Sequence, residues 1–330
     1  MRTKAVATTA LLALGLTACG AEIAPKETAG GSAHYPVTVE NCGDRLTFAR
    51  KPARVVTNDV NITELMLSLG LADRMAGYVM PDDKGKVDQV PWKDGYQQTA
   101  WLSKKALTKE IALDARADLV LAGWHYGFDE GSGVTPQAFK ALGLDSYVLS
   151  ESCRSGRGGE RGVMDPLDAL YTDLANLGEI FDVKDRADRL IADSRARIAA
   201  VPQPGRRPSV FLYDSGQDKP YTAGKFAAAH QIIAKAGGTN IMGDLADTWV
   251  TAGWESVVER DPEVIVINDY ATPDAEEKRR FLTSFPPLAG VSAIRNGRIF
   301  VLDYVDLVES PRNPAAIGAL AEYLRTVPAR

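Results

Sequence analysis

Short apolar runs alternate with longer amphipathic stretches along most of this chain of 330 residues. Such alternation predicts parallel β-strands that are separated by helices covering the faces of the sheet. The predicted strands are residues 54–57, 74–78, 118–122, 146–149, 209–213, 264–268 and 298–302, and helices between them include residues 62–69, 135–142 and 227–236. Gly70, Gly143 and Gly237 stand at the ends of these helices, where glycine commonly provides the C-cap. The pattern is typical of an α/β protein.

The middle of the chain, residues 165–205, follows a different pattern. Residues 165–181 place an apolar side chain at alternating steps of three and four, and residues 184–200 repeat this spacing, so each predicts a helix with one buried face. The second helix would be about 25 Å long and stops at a Pro-Gln-Pro-Gly segment. We therefore expect two Rossmann-like lobes with parallel sheets, residues 36–164 and 206–330, joined by a single long helix.

The first residues of the chain predict an export signal. Arg2 and Lys4 precede an apolar stretch, residues 5–16, that is too short to span a bilayer as a mature helix. The stretch runs into Leu-Thr-Ala-Cys, which resembles the bacterial lipobox, with Cys19 as the acylated first residue of the mature protein. Residues 1–18 would then be a signal peptide and residues 19–35 a lipid-anchored tether. The alternative is an ordinary cleavage site with an incidental cysteine.

The net charge and the cysteine content further limit the functions that fit this chain. Removing the signal peptide changes the formal net charge from -5 to -7, and without a basic stripe such a protein is a poor candidate for binding nucleic acid. Cys42 and Cys153 remain besides Cys19. Outside the cytoplasm we expect these two to form a disulfide, although two separate buried thiols are the alternative.

An ordered set of short segments resembles a known family. These segments are Pro52-Ala53-Arg54-Val55-Val56, Asn61-Ile62-Thr63-Glu64-Leu65, Leu107-Thr108-Lys109-Glu110-Ile111, Ala117-Asp118-Leu119-Val120-Leu121, Gly237-Gly238-Thr239-Asn240, Trp254-Glu255-Ser256-Val257-Val258, Asp261-Pro262-Glu263-Val264-Ile265, Gly297-Arg298-Ile299-Phe300 and Glu309-Ser310-Pro311-Arg312. In order and spacing, from about residue 53 to 324, they resemble the substrate-binding proteins for iron complexes and cobalamin, the helix-linked class III of the periplasmic-binding-protein fold.

This resemblance implies a transport role. The family has two lobes that face a cleft, with little hinge motion, and delivers its ligand to an ABC permease that a cytoplasmic ATPase drives. The resemblance implies that one exposed glutamate on each lobe, here Glu64 and Glu255, pairs with arginines of the permease. Both could instead be ordinary solvated helix residues. We expect a monomer, anchored by lipid to the extracytoplasmic face of the cell membrane.

The ligand should lie at the carboxyl ends of the strands, because ligands of open parallel sheets bind there. The candidate residues are Asp59, Trp124, His125, Tyr126, Arg154, Tyr213, Trp249, Tyr270, Tyr304 and Arg312. Arg154 also opens a glycine-rich basic loop that could meet an anionic ligand, and a solvated loop is the alternative. The aromatic residues at 124–126 could likewise be a packed turn.

The sequence gives enzyme chemistry no support. His34, His125 and His230 are scattered, and the motifs of serine hydrolases and zinc peptidases are missing. We therefore expect no catalytic residue, no bound metal and no cofactor of the protein's own. A ferric-siderophore complex is the preferred ligand, and cobalamin, haem or an anionic cofactor precursor is the alternative. A lipoprotein hydrolase and an adhesive surface protein are the alternatives from other classes.

Overall fold

The computed structural model describes residues 34–80, 86–155, 160–161, 164–270 and 272–328. The predicted signal peptide, Cys19 and most of the tether lie outside these residues, as does most of the glycine-rich loop after Arg154. Within the described part of the chain, no helix is both long enough and apolar enough to cross a membrane.

The first half forms a lobe around a parallel sheet. Its strands are β1 (Val37–Asn41), β2 (Asp44–Phe48), β3 (Val55–Asn58), β4 (Met75–Val79), β5 (Trp101–Ser103), β6 (Leu119–Trp124), β7 (Gly127–Phe128), β8 (Asp145–Val148), β9 (Arg154–Ser155) and β10 (Glu160–Arg161). Its helices are α1 (Val60–Ser68), α2 (Lys93–Gln98), α3 (Lys109–Asp114) and α4 (Pro136–Ala141). The sheet runs β5-β4-β3-β6-β7, with β8 also paired to β6, whereas β1–β2 and β9–β10 are separate antiparallel pairs.

Two consecutive helices join the halves. These are α5 (Pro166–Ile180) and α6 (Lys184–Ala199). α5 packs on the first lobe and on α6, and α6 in turn packs on the last helix of the chain. The predicted long connecting helix is therefore α6, and it ends one residue before the predicted boundary.

The second half forms a smaller parallel sheet. Its strands are β11 (Ser209–Tyr213), β12 (Tyr221–Ala223), β13 (Thr239–Asn240), β14 (Trp249–Thr251), β15 (Val264–Asp269) and β16 (Ile299–Asp303). Its helices are α7 (Ala228–Lys235), α8 (Trp254–Arg260), α9 (Ala275–Ser284), α10 (Ser292–Arg295) and α11 (Asn313–Arg325). The parallel order is β13-β11-β15-β16, and β12 and β14 pair separately in antiparallel fashion.

Apolar burial explains why these segments fold as they do. The central strands β3, β6, β11 and β15 are buried over almost their whole length, as strands covered on both faces must be. One hydrophobic cluster runs from the first sheet through α5 and α6 to α7 and α11 of the second lobe, with Leu177, Ala187 and Leu320 among its members. The lobes thus share a core along one side of the molecule.

The structure confirms the fold class and the disulfide. Gly70, Gly143 and Gly237 adopt φ of +67°, +78° and +86°, the left-handed backbone expected of C-cap glycines. Cys42 and Cys153 are joined, which ties the β1–β2 turn to the end of the first sheet. The β9–β10 and β12–β14 pairs were not predicted, because strands of two or three residues carry too little apolar alternation to be recognised. The β1–β2 pair, with five residues in each strand, was not predicted either.

Candidate functional site

A tight turn after β6 forms one wall of the site. His125 has φ of 65° and Gly127 has φ of 113°, so the chain reverses within a few residues. The turn is closed by the Tyr126 amide donating to the Gly123 carbonyl at 2.9 Å and the His125 amide donating to the Phe128 carbonyl at 3.0 Å. It places Trp124, His125 and Tyr126 at the edge of the first lobe, at the carboxyl end of β6.

The opposite wall comes from the second lobe. Tyr270 and Tyr304 directly follow β15 and β16, and their rings meet edge to face with centroids 5.6 Å apart. The β12–β14 pair adds Tyr221 and Trp249, whose rings stack at 6.1 Å. Parallel strand ends and one short antiparallel strand pair therefore present a row of aromatic rings toward the first lobe.

A cavity of about 340 Å³ lies between these walls. Its volume falls at the lower end of the range for small-molecule pockets in proteins. The residues that line it are Trp124, His125, Tyr126, Glu151, Ser152, Asp214, Tyr221, Thr248, Trp249, Tyr270 and Tyr304. The structure thus brings together six of the ten candidates.

The cavity also includes residues outside those candidates. Glu151 lies close after β8 and Asp214 directly after β11, so the strand-end rule itself points to them. Tyr221 and Thr248 belong to the β12–β14 region, whose strands are too short to be recognised from sequence.

Four predicted ligand residues lie elsewhere. Arg154 stacks on the Trp124 ring at 4.1 Å, beside the lining. Asp59 is buried, where it caps α1 and accepts a hydrogen bond from the Tyr304 hydroxyl at 3.2 Å. Tyr213 is buried against Trp254, and Arg312 is bound to another side chain, so neither contributes to the cavity wall.

The partner of Arg312 is Glu64, and this corrects the sequence prediction. Glu64 is 0% exposed, so the expectation of an exposed glutamate on α1 is wrong. The Arg312 Nε donates to Glu64 Oε2 at 2.8 Å, and the Tyr96 hydroxyl donates to Oε1 at 3.2 Å. Burial raises the pKa of Glu64, while the hydrogen bond and charge of Arg312 oppose that rise. Glu255, in the first turn of α8, is exposed as predicted.

Three tyrosines of the cavity, Tyr126, Tyr270 and Tyr304, are neutral hydrogen-bonding groups. The Tyr270 hydroxyl donates to Asp214 Oδ2 at 2.7 Å, and burial, with the charge of Asp214, raises the pKa of Tyr270. Burial also raises the pKa of Tyr126 and of Tyr304 well above the ordinary range. At neutral pH these side chains offer phenol rings and hydroxyls rather than phenolate charge.

Two glutamates connect the lobes at the base of the cavity. The Glu151 amide donates to Glu309 Oε2 at 2.9 Å, and the Glu309 amide donates to Glu151 Oε2 at 3.0 Å. Ala228, at the start of α7, donates its amide to Glu151 Oε1 at 3.3 Å. This reciprocal pair, which we call the glutamate clamp, joins the segment after β8 to the segment before α11.

Comparison with known proteins agrees with this architecture. A family model described as periplasmic binding protein matches residues 106–305. An uncharacterized ABC transporter substrate-binding lipoprotein of Bacillus subtilis, YvrC, is 23% identical over 87% of this chain and 85% of its own length.

Solved structures share the fold along most of the chain. A periplasmic binding protein from Veillonella parvula superposes with a TM-score of 0.76 at 26% identity, covering 89% of this chain and 98% of its own. A protein of an ABC-type Fe3+-hydroxamate transport system from Saccharomonospora viridis gives 0.74 at 24% identity, covering 88% and 99%. The family match spans more than half of the sequence, and so the chain belongs to the periplasmic binding protein family and is a substrate-binding protein of an ABC transporter.

Proposed function

We propose that this protein is a lipid-anchored receptor that captures a ferric-siderophore complex between its lobes and delivers it to an ABC permease. The observation that carries the proposal is the interlobe cavity with its aromatic and hydrogen-bonding walls. Trp124 and Tyr126 on one lobe face Trp249, Tyr270 and Tyr304 on the other. Aromatic faces and neutral hydroxyls suit a chelate that is apolar on its outside and has polar edges.

In such a ligand, the siderophore already occupies the coordination sites of the iron. The Tyr270 and Tyr304 hydroxyls are engaged as donors to Asp214 and Asp59, so these two oxygens are not presented as free phenolates. This arrangement favours recognition of a complete chelate by its surface over direct coordination of iron by these tyrosines. The Fe3+-hydroxamate system that contains the Saccharomonospora viridis protein agrees with the proposal, although its likeness supports the fold alone.

Delivery would use the membrane anchor at Cys19 and a permease-facing surface. Glu255 is exposed on α8 and is available to pair with a permease arginine. Glu64 is held by Arg312, so it could serve the same purpose only after that buried pair opens. In the conformation described here, we assign docking to Glu255.

A thermal-stability panel tests the proposal. Ferric siderophores, haem, cobalamin and phosphorylated cofactor precursors would each be added to the mature protein at saturating concentration. A ligand present at about 100 times its dissociation constant should stabilise the fold by about 2.7 kcal/mol. We expect at least one ferric siderophore to raise the melting temperature. Stabilisation by haem, cobalamin or a phosphorylated precursor alone would contradict the choice of ligand, and no response to any would contradict capture.

Two tryptophan variants test where the ligand binds. Trp249→Ala removes a ring from the cavity wall and should abolish the stabilisation by the ferric siderophore. Trp101→Ala is the matched control, because Trp101 is 43% exposed and lies outside the cavity. Equal loss in both variants would mean that the ligand does not bind between the lobes.

A further inference from the structure

The wall of the cavity combines aromatic rings with carboxyl groups. Glu151 and Asp214 stand on opposite lobes, both nearly buried, among six aromatic residues of the lining. Among the residues that the structure describes, the lining contains two carboxylates and neither lysine nor arginine. Aromatic rings combined with carboxylates are the usual surroundings of a bound organic cation.

Two cations lie next to the cavity, and neither is part of its lining. The Nζ of Lys278 lies over the Tyr270 ring, 4.1 Å from its centroid, and donates to the Asn268 carbonyl at 2.6 Å, and the residue is only 2% exposed. It reduces the negative potential around Asp214 and cannot itself reach a ligand. Arg154 is stacked on Trp124 outside the lining.

The layer beneath the cavity is also acidic. Asp173 accepts hydrogen bonds from the Tyr147 hydroxyl at 2.6 Å and the Ser150 amide at 2.9 Å. The glutamate clamp has backbone amides as its donors. The donors in these contacts are neutral amides and a phenol, so the charge at the base of the cavity depends on how many of the three carboxyls hold a proton. A cation bound between Glu151 and Asp214 would favour the ionised form of Glu151.

We propose that the ferric chelate captured here carries a positively charged group, such as a protonated amine, that lies among these aromatic rings between Glu151 and Asp214. The inference rests on the proposed function and specifies the class of siderophore. The carboxylates attract the cation, the aromatic faces replace part of its hydration, and an anionic chelate meets like charge at the same place. A cationic ferric hydroxamate is thus preferred over a ferric catecholate.

A charge series of one chelate tests this inference. A linear ferric trihydroxamate with a free terminal amine would be compared with the same chelate after acetylation, which makes it neutral, and after succinylation, which makes it anionic. Dissociation constants would be measured by tryptophan fluorescence quenching on wild-type protein. We expect acetylation to weaken binding by about tenfold, and succinylation to weaken it further, because a cation–π contact and ionic attraction are lost.

Two aspartate variants test whether the preference for the cationic chelate arises in the cavity. Asp214→Asn should reduce the ratio between the cationic and anionic chelates, whereas the control Asp244→Asn should leave it unchanged, because Asp244 is paired with Arg260 outside the cavity. Equal affinity for the three chelates, or preference for the anionic one, would overturn the inference and leave siderophore capture standing. If none of the three binds but other ferric siderophores do, the inference alone fails, and if no ferric chelate binds, the proposed function fails with it.

Discussion

Glu151 is the residue whose protonation most affects the cavity. Burial raises the pKa of its carboxyl to about 7, partly offset by the amides of Glu309 and Ala228 that donate to it. The titratable groups that interact with it are Tyr126, Asp173, Tyr304 and Glu309. Burial and the charges of Asp173 and Glu151 also raise the pKa of Glu309 well above its ordinary value. At neutral pH the glutamate clamp therefore holds protons that isolated carboxyls would have released.

The proton on Glu151 makes the free energy of unfolding depend on pH. The folded protein binds it more tightly than the unfolded chain, where the glutamate pKa is about 4.5. Stabilisation is therefore complete below that value and is lost as the pH rises through about 7. Glu151→Gln keeps a neutral side chain at every pH. From about pH 5 to pH 8, we expect the free energy of unfolding of wild type relative to Glu151→Gln to fall by on the order of 1–3 kcal/mol.

Urea unfolding at a series of pH values measures this difference. The variant removes Glu151 together with its effect on the pKa of Glu309, so the comparison measures the contribution of Glu151 and of its coupling to Glu309. Parallel profiles for wild type and variant would show that the Glu151 proton is not bound more tightly in the folded protein.

Individual residues also show which parts of the cavity lining could be predicted from the sequence. Trp124 and Tyr270 could be predicted because both stand at the ends of buried parallel strands, and strand ends meet at one edge of a sheet. Tyr213 stands at a strand end as well, yet its side chain faces the core beside Trp254. The last residue of a strand can point to either face, and only the packed structure decides which.

At the scale of elements, the Glu64–Arg312 pair joins α1 of the first lobe to the segment before α11 of the second. Its two side chains are 0% and 10% exposed. Removing one partner of a buried pair leaves an uncompensated charge, which typically costs about 3–5 kcal/mol. We expect Arg312→Met to lower the free energy of unfolding by this amount, and the double variant Glu64→Leu/Arg312→Met to be less destabilised, because it buries no lone charge.

An exposed ion pair provides the control. Lys184 and Asp188 on α6 are 57% and 54% exposed, so Lys184→Met should cost less than about 1 kcal/mol. Chemical denaturation of the three variants measures these changes. If Arg312→Met were no more destabilising than Lys184→Met, Glu64 would be solvated, as its sequence motif suggests.

The bounds of helices and strands were easier to predict than the tertiary contacts of their side chains. The bounds of β11 agree fully, and those of β6 and α5 differ by at most two residues, because buried apolar runs and helix-ending residues are local features. The burial of Glu64 depends on Tyr96 and Arg312, the second of them more than two hundred residues away along the chain. A local helical pattern contains no information about side chains from other parts of the chain that bury one of its residues.

At the scale of the whole molecule, the lobes are held together by apolar and polar contacts. The hydrophobic cluster through α5, α6, α7 and α11 lies along one side, and the glutamate clamp lies at the base of the cavity. Lys86 of the first lobe adds an ion pair with Asp303 of the second at 2.5 Å, at the carboxyl end of β16. These contacts favour a cavity that is largely formed before the ligand arrives, in keeping with the two packed helices, α5 and α6, that connect the lobes.

A crystal structure of the protein with the ferric siderophore that stabilises it most is the most direct test of capture between the lobes. The account predicts the chelate between Trp124 and Tyr126 on one side and Trp249 and Tyr270 on the other, with the α5–α6 packing unchanged. A chelate bound elsewhere, for example in the groove beside Leu190 of α6, with the interlobe cavity left empty, would contradict it.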